Sequence, residues 1–591
     1  MREPVSYDVV IVGAGLSGLT AAYYLKKCIP TLRVVVIERS GTAGGLTGNW
    51  IDHRYGADKK LQPPMHMVFK EKYPNFLKLV HEIRGELSPI YKGYHIFTSD
   101  GKQHRLEMDD WASHHLPAPL HSLGLLAKLK LPLKAKWDLI KLAAASTYCL
   151  RELCAGIQEP PYVPNTLSLE SMQLLLKVGP KARDFIESIT PSIYNLHPWY
   201  VSAPHMAAII SGTLMATRDS LHYHVFSKNY NAAFVDRFVE RLKGMGVDFR
   251  LWTEVRRIEC DGSGKKIESI WCKSYGPEVK DSHHYICENC GAENYCVDRA
   301  FCTRCGLDTT LSKIREGKIK HPVNHELWMD PEGHHYEKIQ CGRLITAMYP
   351  HMIAKLIPID SPLREYPFVR AFYSSRGNQT QLSIARVYYK KAVTRGEKFI
   401  SGTHNPYYAF NGCQSVYNNF GGEDLGYTKG DVIDVLLDVG IIRDAHSHQR
   451  QCQRIVHDLK RVYPDADPSS VEHISFANMY PDVLYLSEQP AIAGLHRFFN
   501  ANRSGVANWY IAGCHAGTIG IGMESAVQSA MRTVNYIFKD MNSSSQLEIA
   551  PYTLEGLNNI FASFGKFLMW LRGRGRSIQR SAGASYSMPP P

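Results

Sequence analysis

An α/β fold with a Rossmann-type dinucleotide-binding domain at its N-terminus is predicted by three features of the first fifty residues. An apolar run, Asp8-Val-Val-Ile-Val12, ends on Gly13-Ala-Gly15-Leu16-Ser17-Gly18 and passes directly into the helix-forming stretch Leu16 to Lys27. A second apolar run, Arg33-Val-Val-Val-Ile-Glu38, closes on an acid, and Gly41-Thr-Ala-Gly44-Gly45-Leu46-Thr47 follows at once as a second glycine-rich loop. Gly13 permits the tight turn, Gly15 lets backbone approach a pyrophosphate, and Gly18 lets the helix pack closely on the strand. The helix N-terminus, opened by Leu16 and Ser17, then faces the phosphates with its partial positive charge. Glu38, with Arg39 after it, stands where an acid holds a ribose hydroxyl.

The second loop decides between dinucleotides. Flavoproteins bring a further backbone turn, here Gly44, Gly45 and Leu46, over the FAD pyrophosphate, and NAD enzymes do not need one. FAD is therefore the expected cofactor.

A chain of 591 residues, 44% of them apolar, exceeds what one hydrophobic core serves and predicts several domains. The formal charge of +12 suits an anionic membrane surface, nucleic acid or plain solubility. No basic stretch interleaved with aromatics stands out, so no nucleic-acid partner is expected. Neither a signal nor a transit segment precedes the first strand, which predicts a cytoplasmic or a mature chain. No apolar run reaches the ~18 residues of a spanning helix. Fourteen cysteines, several of them scattered singles, fit a reducing compartment better than a disulfide framework.

Cys287-x-x-Cys290-Gly and Cys302-x-x-Cys305-Gly form two knuckles whose four thiolates would give Zn²⁺ a closed tetrahedral, hence structural, site. An iron centre or disulfides are the other readings of that spacing.

After the glycine loops, Met65-His66-Met67-Val68-Phe69, Tyr73-Pro74-Asn75 and Leu116-Pro-Ala-Pro-Leu120 resemble the corresponding segments of plant and cyanobacterial phytoene and zeta-carotene desaturases, a branch of the flavin amine oxidase superfamily. The resemblance spans the N-terminal quarter, a middle stretch from Leu221 to Ile270, and Asn508 to Ile537. It implies a phytoene desaturase-like FAD domain interleaved with a discontinuous α+β substrate domain, and the cysteine module is an insertion foreign to that pattern. It also implies that Val255, Gly513, Cys514, Gly522, Met523 and Glu524 complete the cofactor set. The chain departs from the pattern at Cys514, where an acid is usual, and at Leu46, where a cation is usual. No arginine corresponds to the one that plant desaturases carry near Asn231-Ala-Ala-Phe234.

The implied activity is dehydrogenation of an apolar, isoprenoid hydrocarbon by hydride transfer to the flavin. Flavin-dependent isomerisation, amine oxidation, or an assembly role with FAD kept for structure are the alternatives. His66 and His515 flank the two motifs and are the candidate polar groups beside the reacting carbon; a hydrogen-bonded packing role is the other reading of each. A quinone is the expected electron acceptor, and the zinc module leaves room for an oligomer or a partner subunit.

Two segments carry apolar stripes bordered by cations, as helices lying on a membrane surface do. One is Leu123 to Leu142, alternating leucine and lysine, for which an ordinary amphipathic helix is the competing reading. The other has Leu557, Ile560, Phe561, Phe564, Leu568 and Leu571 at helical spacing ahead of Arg572, Arg574 and Arg576. Peripheral attachment to the inner face of a membrane follows as an expectation.

The expected order is FAD domain 1–95, helical substrate domain 96–224, FAD domain 225–280, zinc ribbon 281–335, FAD domain 336–360, substrate domain 361–495, FAD motif 496–540 and amphipathic tail 541–591. Within it, helices are expected over 226–245, 431–439 and 445–462, and strands over 247–251, 255–260, 381–389 and 508–513.

Overall fold

The computed structural model describes residues 5–48, 50–51, 60–61, 68–69, 72–90, 93–106, 115, 118–156, 167–194, 197–199, 201–207, 223–274, 284–287, 293–295, 316, 336–374, 379–395, 399–403, 408–415, 430–437, 445–485, 502–517, 522–551 and 557–573. The first strand, Val5–Val12, is the hub of a seven-stranded sheet. It pairs in parallel with Val34–Ile37 on one side and with Tyr336–Thr346 on the other. Val247–Arg250 extends the first edge, and Trp509–Ile511 lies parallel to Tyr336–Thr346. Thr253–Cys260 and Ile267–Ser274 add an antiparallel margin. The central strands read as Val/Ile runs over Val9–Val12 and Val34–Ile37 because both faces are covered there. Val9 and Ile11 pack toward the helices Leu16–Cys28 and Gly522–Asp540, while Val10 and Val12 pack with Trp509 and Phe368 on the opposite face. Strands from residues 5 to 511 thus meet in one sheet.

A second seven-stranded sheet joins Gly93–Phe97 and Gln103–Leu106 to Phe399–Thr403, Gly412–Ser415, Val432–Leu437, Gln379–Tyr389 and Val471–Tyr485. Helix Ala445–Val462 contributes Ile455 and Leu459 to the core against it. The boundary expected at residue 95 falls inside the strand Gly93–Phe97, which belongs to this second sheet.

Three expectations are corrected. Residues 431–439 were expected as a helix, yet Val432–Leu437 is a strand between Gln379–Tyr389 and Gly412–Ser415. The expected helix 226–245 begins only at Asn231, as a turn of π-helix through Val235, because Tyr223–Phe226 pairs as a strand. The leucine and lysine stretch is two helices, Ala118–Lys128 and Leu133–Gly156, separated around Pro132.

Of the four knuckle cysteines, Cys287 alone lies among the described residues. It is buried directly after the first of two short paired strands, His284–Ile286 and Glu293–Tyr295. Cys290, Cys302 and Cys305 lie outside them, and no group of three or more metal-ligating side chains occurs among the described residues. Nor is any described helix long and apolar enough to cross a membrane.

Candidate functional site

The glycine turn after the first strand is shaped by close backbone approach. Gly13 has φ 105°, and a Cβ there would sit 2.6 Å from the Ala347 carbonyl oxygen. A Cβ on Gly18 would sit 2.0 Å from the carbonyl oxygen of Gly13, so this glycine serves helix-to-turn packing. Gly15 differs from both: its φ is an ordinary −74°, and nothing lies within 4 Å of where a Cβ would project. Neither the backbone nor a protein neighbour requires glycine there, and the open space belongs to a cavity of about 370 Å³. Leu16, Ser17, Gly44, Gly45 and Leu46 also line it. The second loop is fastened to the first by the Gly44 N–H donating to the Ala14 carbonyl at 2.8 Å.

Glu38 ends the second strand on the same cavity. Its Oε2 accepts the Ala14 N–H at 2.9 Å, and its Oε1 accepts both the N–H and the Oγ–H of Ser40 at 2.9 Å. A carboxylate offers about four lone-pair sites, so capacity for a ribose hydroxyl remains. Arg39, Thr253, Glu254 and Val255 stand beside it.

The cavity is closed from the C-terminal side. Gly513, with φ 150°, follows the strand Trp509–Ile511, and Cys514 and His515 line the wall with Gly522 and Met523. His515 is buried, and its ring lies so close over Gly513 that a Cβ there would be 2.4 Å from Cε1. Ser525 Oγ donates to the Cys514 carbonyl at 3.0 Å. The helices Leu16–Cys28 and Gly522–Asp540 both begin at this cavity, so two helix N-termini address whatever fills it. Ser17 Oγ donates to the Ala526 carbonyl at 3.2 Å and ties the two together. That is an environment for a phosphate-bearing ligand.

Two members of the expected set, Glu524 and Gly18, do not line the cavity. The Glu524 carboxylate accepts the N–H groups of Asn75 and Phe76 and the Asn75 side-chain amide, capping the helix Pro74–Glu82. At the third position of its own helix it is aimed at a neighbouring helix start instead of the cavity. Burial pushes its carboxyl up to about 7, outweighing those three donors. Gly18 likewise works behind the cavity wall. His66 lies outside the described residues.

Tyr349, Met352 and Lys355, on and just before the helix Pro350–Lys355, were missed by sequence reasoning and line the cavity. Their signal was the strand Tyr336–Thr346, which ends on the apolar Leu344-Ile345 and whose C-terminal end lies beside the glycine turn: the Ala347 N–H donates to Val12 O at 2.8 Å. Ligands of open α/β sheets bind at the carboxyl ends of strands, so residues following that strand were candidates.

Two family models, several curated proteins and many solved structures resemble parts or the fold of this chain. Residues 1–55 match the Thi4 family, and residues 390–538 match the family of flavin containing amine oxidoreductases. Thiamine thiazole synthase of Eremothecium gossypii is 38% identical over 92 residues, 16% of this chain and 25% of that protein. Thiamine thiazole synthase 1, chloroplastic, of Sorghum bicolor is 42% identical over 64 residues, 11% and 17% of the two chains. The chain thus spans a quarter or less of these curated relatives. Among solved structures, putrescine oxidase bound to putrescine superposes with a TM-score of 0.58 at 16% identity, covering 90% of this chain and 99% of that one. Cyclohexylamine oxidase from Brevibacterium oxydans gives 0.55 at 14% identity, covering 91% and 99%. A putative protoporphyrinogen oxidase from Exiguobacterium gives 0.53 at 13%, with the same coverage. At these identities the likeness is one of fold, and the fold is the Rossmann-like α/β architecture of these oxidases.

Proposed function

We propose that the protein is a FAD-dependent oxidoreductase that dehydrogenates an apolar substrate. The observation that carries the cofactor is Gly15, a glycine that only a ligand requires, set between two helix N-termini and the Glu38 carboxylate. Bound FAD supplies an acceptor for the hydride leaving a substrate carbon. The chain's part is to hold it: backbone amides at Gly15 to Ser17 and at Gly522 for the phosphates, Glu38 for a ribose. Leu46, Cys514 and Met523 add no charge to that grip, while Arg39 and Lys355 are the cations on the cavity wall. Dehydrogenation of an isoprenoid hydrocarbon stays the favoured chemistry on the motif resemblance, with isomerisation beside it. Oxidation of an amine is the second reading, favoured by the likeness to putrescine and cyclohexylamine oxidases. Anaerobic mixing of the yellow protein with terpenes and, separately, with amines tests this. Flavin bleaching by a terpene supports the proposal, bleaching by an amine alone replaces it with the second reading, and protein purified without flavin sinks both.

We propose further that substrate is drawn from an anionic membrane surface, with a quinone there as electron acceptor. The helix Leu557–Gly573 lies against Leu133–Gly156, with Phe564 on Trp137 at 6.0 Å between ring centres. Together they leave Leu133, Trp137, Ile560, Phe567, Trp570 and Leu571 at least half exposed, Leu133 at 84%. Lys130, Lys134 and Lys566 are exposed on the same elements or the turn joining them. Apolar side chains among cations are what an interfacial surface requires. Sedimentation with anionic but not neutral liposomes at low salt is expected, and loss of that binding in Phe567→Ser/Trp570→Ser. Equal behaviour of the two proteins would discard the surface.

The four-cysteine module is proposed as a structural zinc site on its spacing alone. One zinc per chain by metal analysis is the expected result.

A further inference from the structure

The loop that follows Glu38 is braced by a segment that the cofactor motifs do not include. Trp252, in the turn between Val247–Arg250 and Thr253–Cys260, has φ 53°, a conformation that a bulky L-residue adopts only when its surroundings impose it. Its N–H donates to the Ser40 carbonyl at 3.1 Å, and the next N–H, of Thr253, donates to the Glu38 carbonyl at 2.9 Å. The Glu38 N–H in turn donates to the Arg250 carbonyl at 2.9 Å. The ribose acid and the tryptophan turn are therefore stitched together from both sides. The indole itself covers Gly41: a Cβ on Gly41 would lie 2.2 Å from Cζ2, 2.3 Å from Cε2 and 2.5 Å from Nε1. Gly41 is not among the glycines with positive φ, so it is the ring, and not the backbone, that requires glycine there.

The same segment meets the loop twice more. Val235, at the end of the π-helical turn, places Cγ2 3.0 Å from where a Cβ on Gly44 would stand, and Asn231 Oδ1 is 3.5 Å from that of Gly48. Such π-helical turns are uncommon and gather at functional sites. Trp252 thus covers Gly41 and Val235 stands close by Gly44, with Asn231 at ordinary contact distance from Gly48, all within residues 231–252. Leu46 supplies no charge with which the loop could hold a phosphate, so its placement rests on this packing together with its hydrogen bonds, the Gly44 N–H to the Ala14 carbonyl among them.

We infer that Trp252 is a positioning residue for the adenosine diphosphate half of the dinucleotide. By pressing on Gly41 it fixes the turn Glu38–Thr42, and so sets where the Glu38 carboxylate and Arg39 meet the ligand. The inference rests on the dinucleotide reading of the cavity. It goes beyond that reading in assigning a role to a residue outside the glycine motifs.

The test uses the full chain stripped of flavin, with FAD and ADP as separate probes. Wild type, Trp252→Gly, Gly41→Ala and the double variant are compared for affinity and for unfolding temperature without ligand. Trp252→Gly loses the packing of the ring and frees the unfolded chain but relieves the left-handed strain, effects of opposite sign, so its ligand-free unfolding temperature should stay within a few degrees of wild type. Its affinity for both probes should nevertheless fall about tenfold. Gly41→Ala drives the ring from its seat and should weaken both probes similarly, whereas the double variant should bind no worse than Trp252→Gly, because the added methyl group then has no ring to strike. Wild-type affinity in Trp252→Gly, a silent Gly41→Ala, losses that simply add, a loss for FAD with ADP unaffected, or a fall in affinity that tracks a fall in unfolding temperature would each overturn the inference. If wild type binds neither probe, the dinucleotide reading itself fails and the role of Trp252 fails with it.

Discussion

Glu524 Oε2 accepts the backbone N–H of Phe76 at 2.8 Å across 448 residues of sequence. The contact joins the helix that starts at the C-terminal wall of the cavity to the start of Pro74–Glu82, where unpaired N–H groups need an acceptor. Asn75 extends the junction, since its amide donates to Glu524 Oε1 at 2.6 Å and to the Ala550 carbonyl at 2.9 Å, and its Oδ1 accepts the Ala550 N–H. The N-terminal and C-terminal parts of the chain are locked together immediately behind Gly522 and Met523.

That buried carboxyl makes stability depend on pH. Because burial raises it to about 7, the folded protein keeps a proton that the unfolded chain releases in the ordinary carboxylate range. This contribution is fully present at acid pH, declines as pH rises from about 4.5, and is gone above about 7. Glu524→Gln has no such slope. The stability of wild type relative to Glu524→Gln should therefore fall across that interval in urea titrations at several pH values. A difference independent of pH would show that the three donors keep the carboxylate ionised throughout.

Gly13 and Gly15 should respond differently to the same methyl group. Gly13→Ala places a side chain at φ 105° against the Ala347 carbonyl, so the protein should fold poorly or not at all. Gly15→Ala meets no protein atom and keeps an allowed backbone, so the apoprotein should unfold at the wild-type temperature. Its methyl group occupies cavity space that a phosphate needs, and FAD affinity should drop at least about tenfold, each factor of ten being 1.4 kcal/mol. Equilibrium binding to the two apoproteins decides it; Gly15→Ala retaining FAD at wild-type affinity would contradict the assignment of the cavity.

In the second sheet, Arg386 and Asp434 face each other across paired strands, both almost wholly buried, with Nε and Nη2 donating to the two carboxylate oxygens at 2.6 and 2.9 Å. Removing one partner strands the other charge in an apolar interior. Asp434→Ala should cost on the order of 3–5 kcal/mol in denaturant unfolding, whereas Arg386→Met/Asp434→Leu should cost much less. If the double variant is as unstable as the single one, the pair contributes through packing and not through charge.

The same pair explains why one strand was hidden in the sequence. Asp431 to Val439 places apolar residues at spacings that satisfy a helix as well as a buried strand, and Asp434 reads as the polar side of an amphipathic helix. The charge that suggested solvent is neutralised inside the sheet by a residue 48 positions away, which no local pattern reveals. The first strand, its glycine turn and Glu38 were legible because each residue type there answers a need within one short stretch: positive φ at Gly13, close packing at Gly18, open cavity at Gly15 and an acid at the strand end. Glu524 was legible as important but not in its direction, since its partners lie in a helix 448 residues earlier. Trp252 went unnoticed because nothing near it in sequence tells a ring that covers a glycine from an ordinary turn residue.

The C-terminal helix was expected to lie on a membrane surface by its apolar stripe, and in the structure small residues seat its other side on Leu133–Gly156. Leu557–Gly573 buries Ala562 and Gly565, while Ile560 and Leu571 of the expected stripe point outward. Gly565 sits so close to the neighbouring helix that a Cβ would stand 2.0 Å from the Ala144 carbonyl oxygen and 2.9 Å from the Ala145 nitrogen. Gly565→Ala pits two effects against each other. Alanine in place of a mid-helix glycine adds up to ~1 kcal/mol of helix propensity. The methyl group, however, collides with backbone atoms that no rotamer change can move, an overpacking cost of about 1–3 kcal/mol. The collision should win, and the helix should dock less often. Amide hydrogen exchange across 557–573 should therefore quicken in Gly565→Ala while exchange in Val5–Val12 stays at the wild-type rate. Unchanged protection of 557–573 would mean that the two helices separate without difficulty and that the close approach at Gly565 does not hold them.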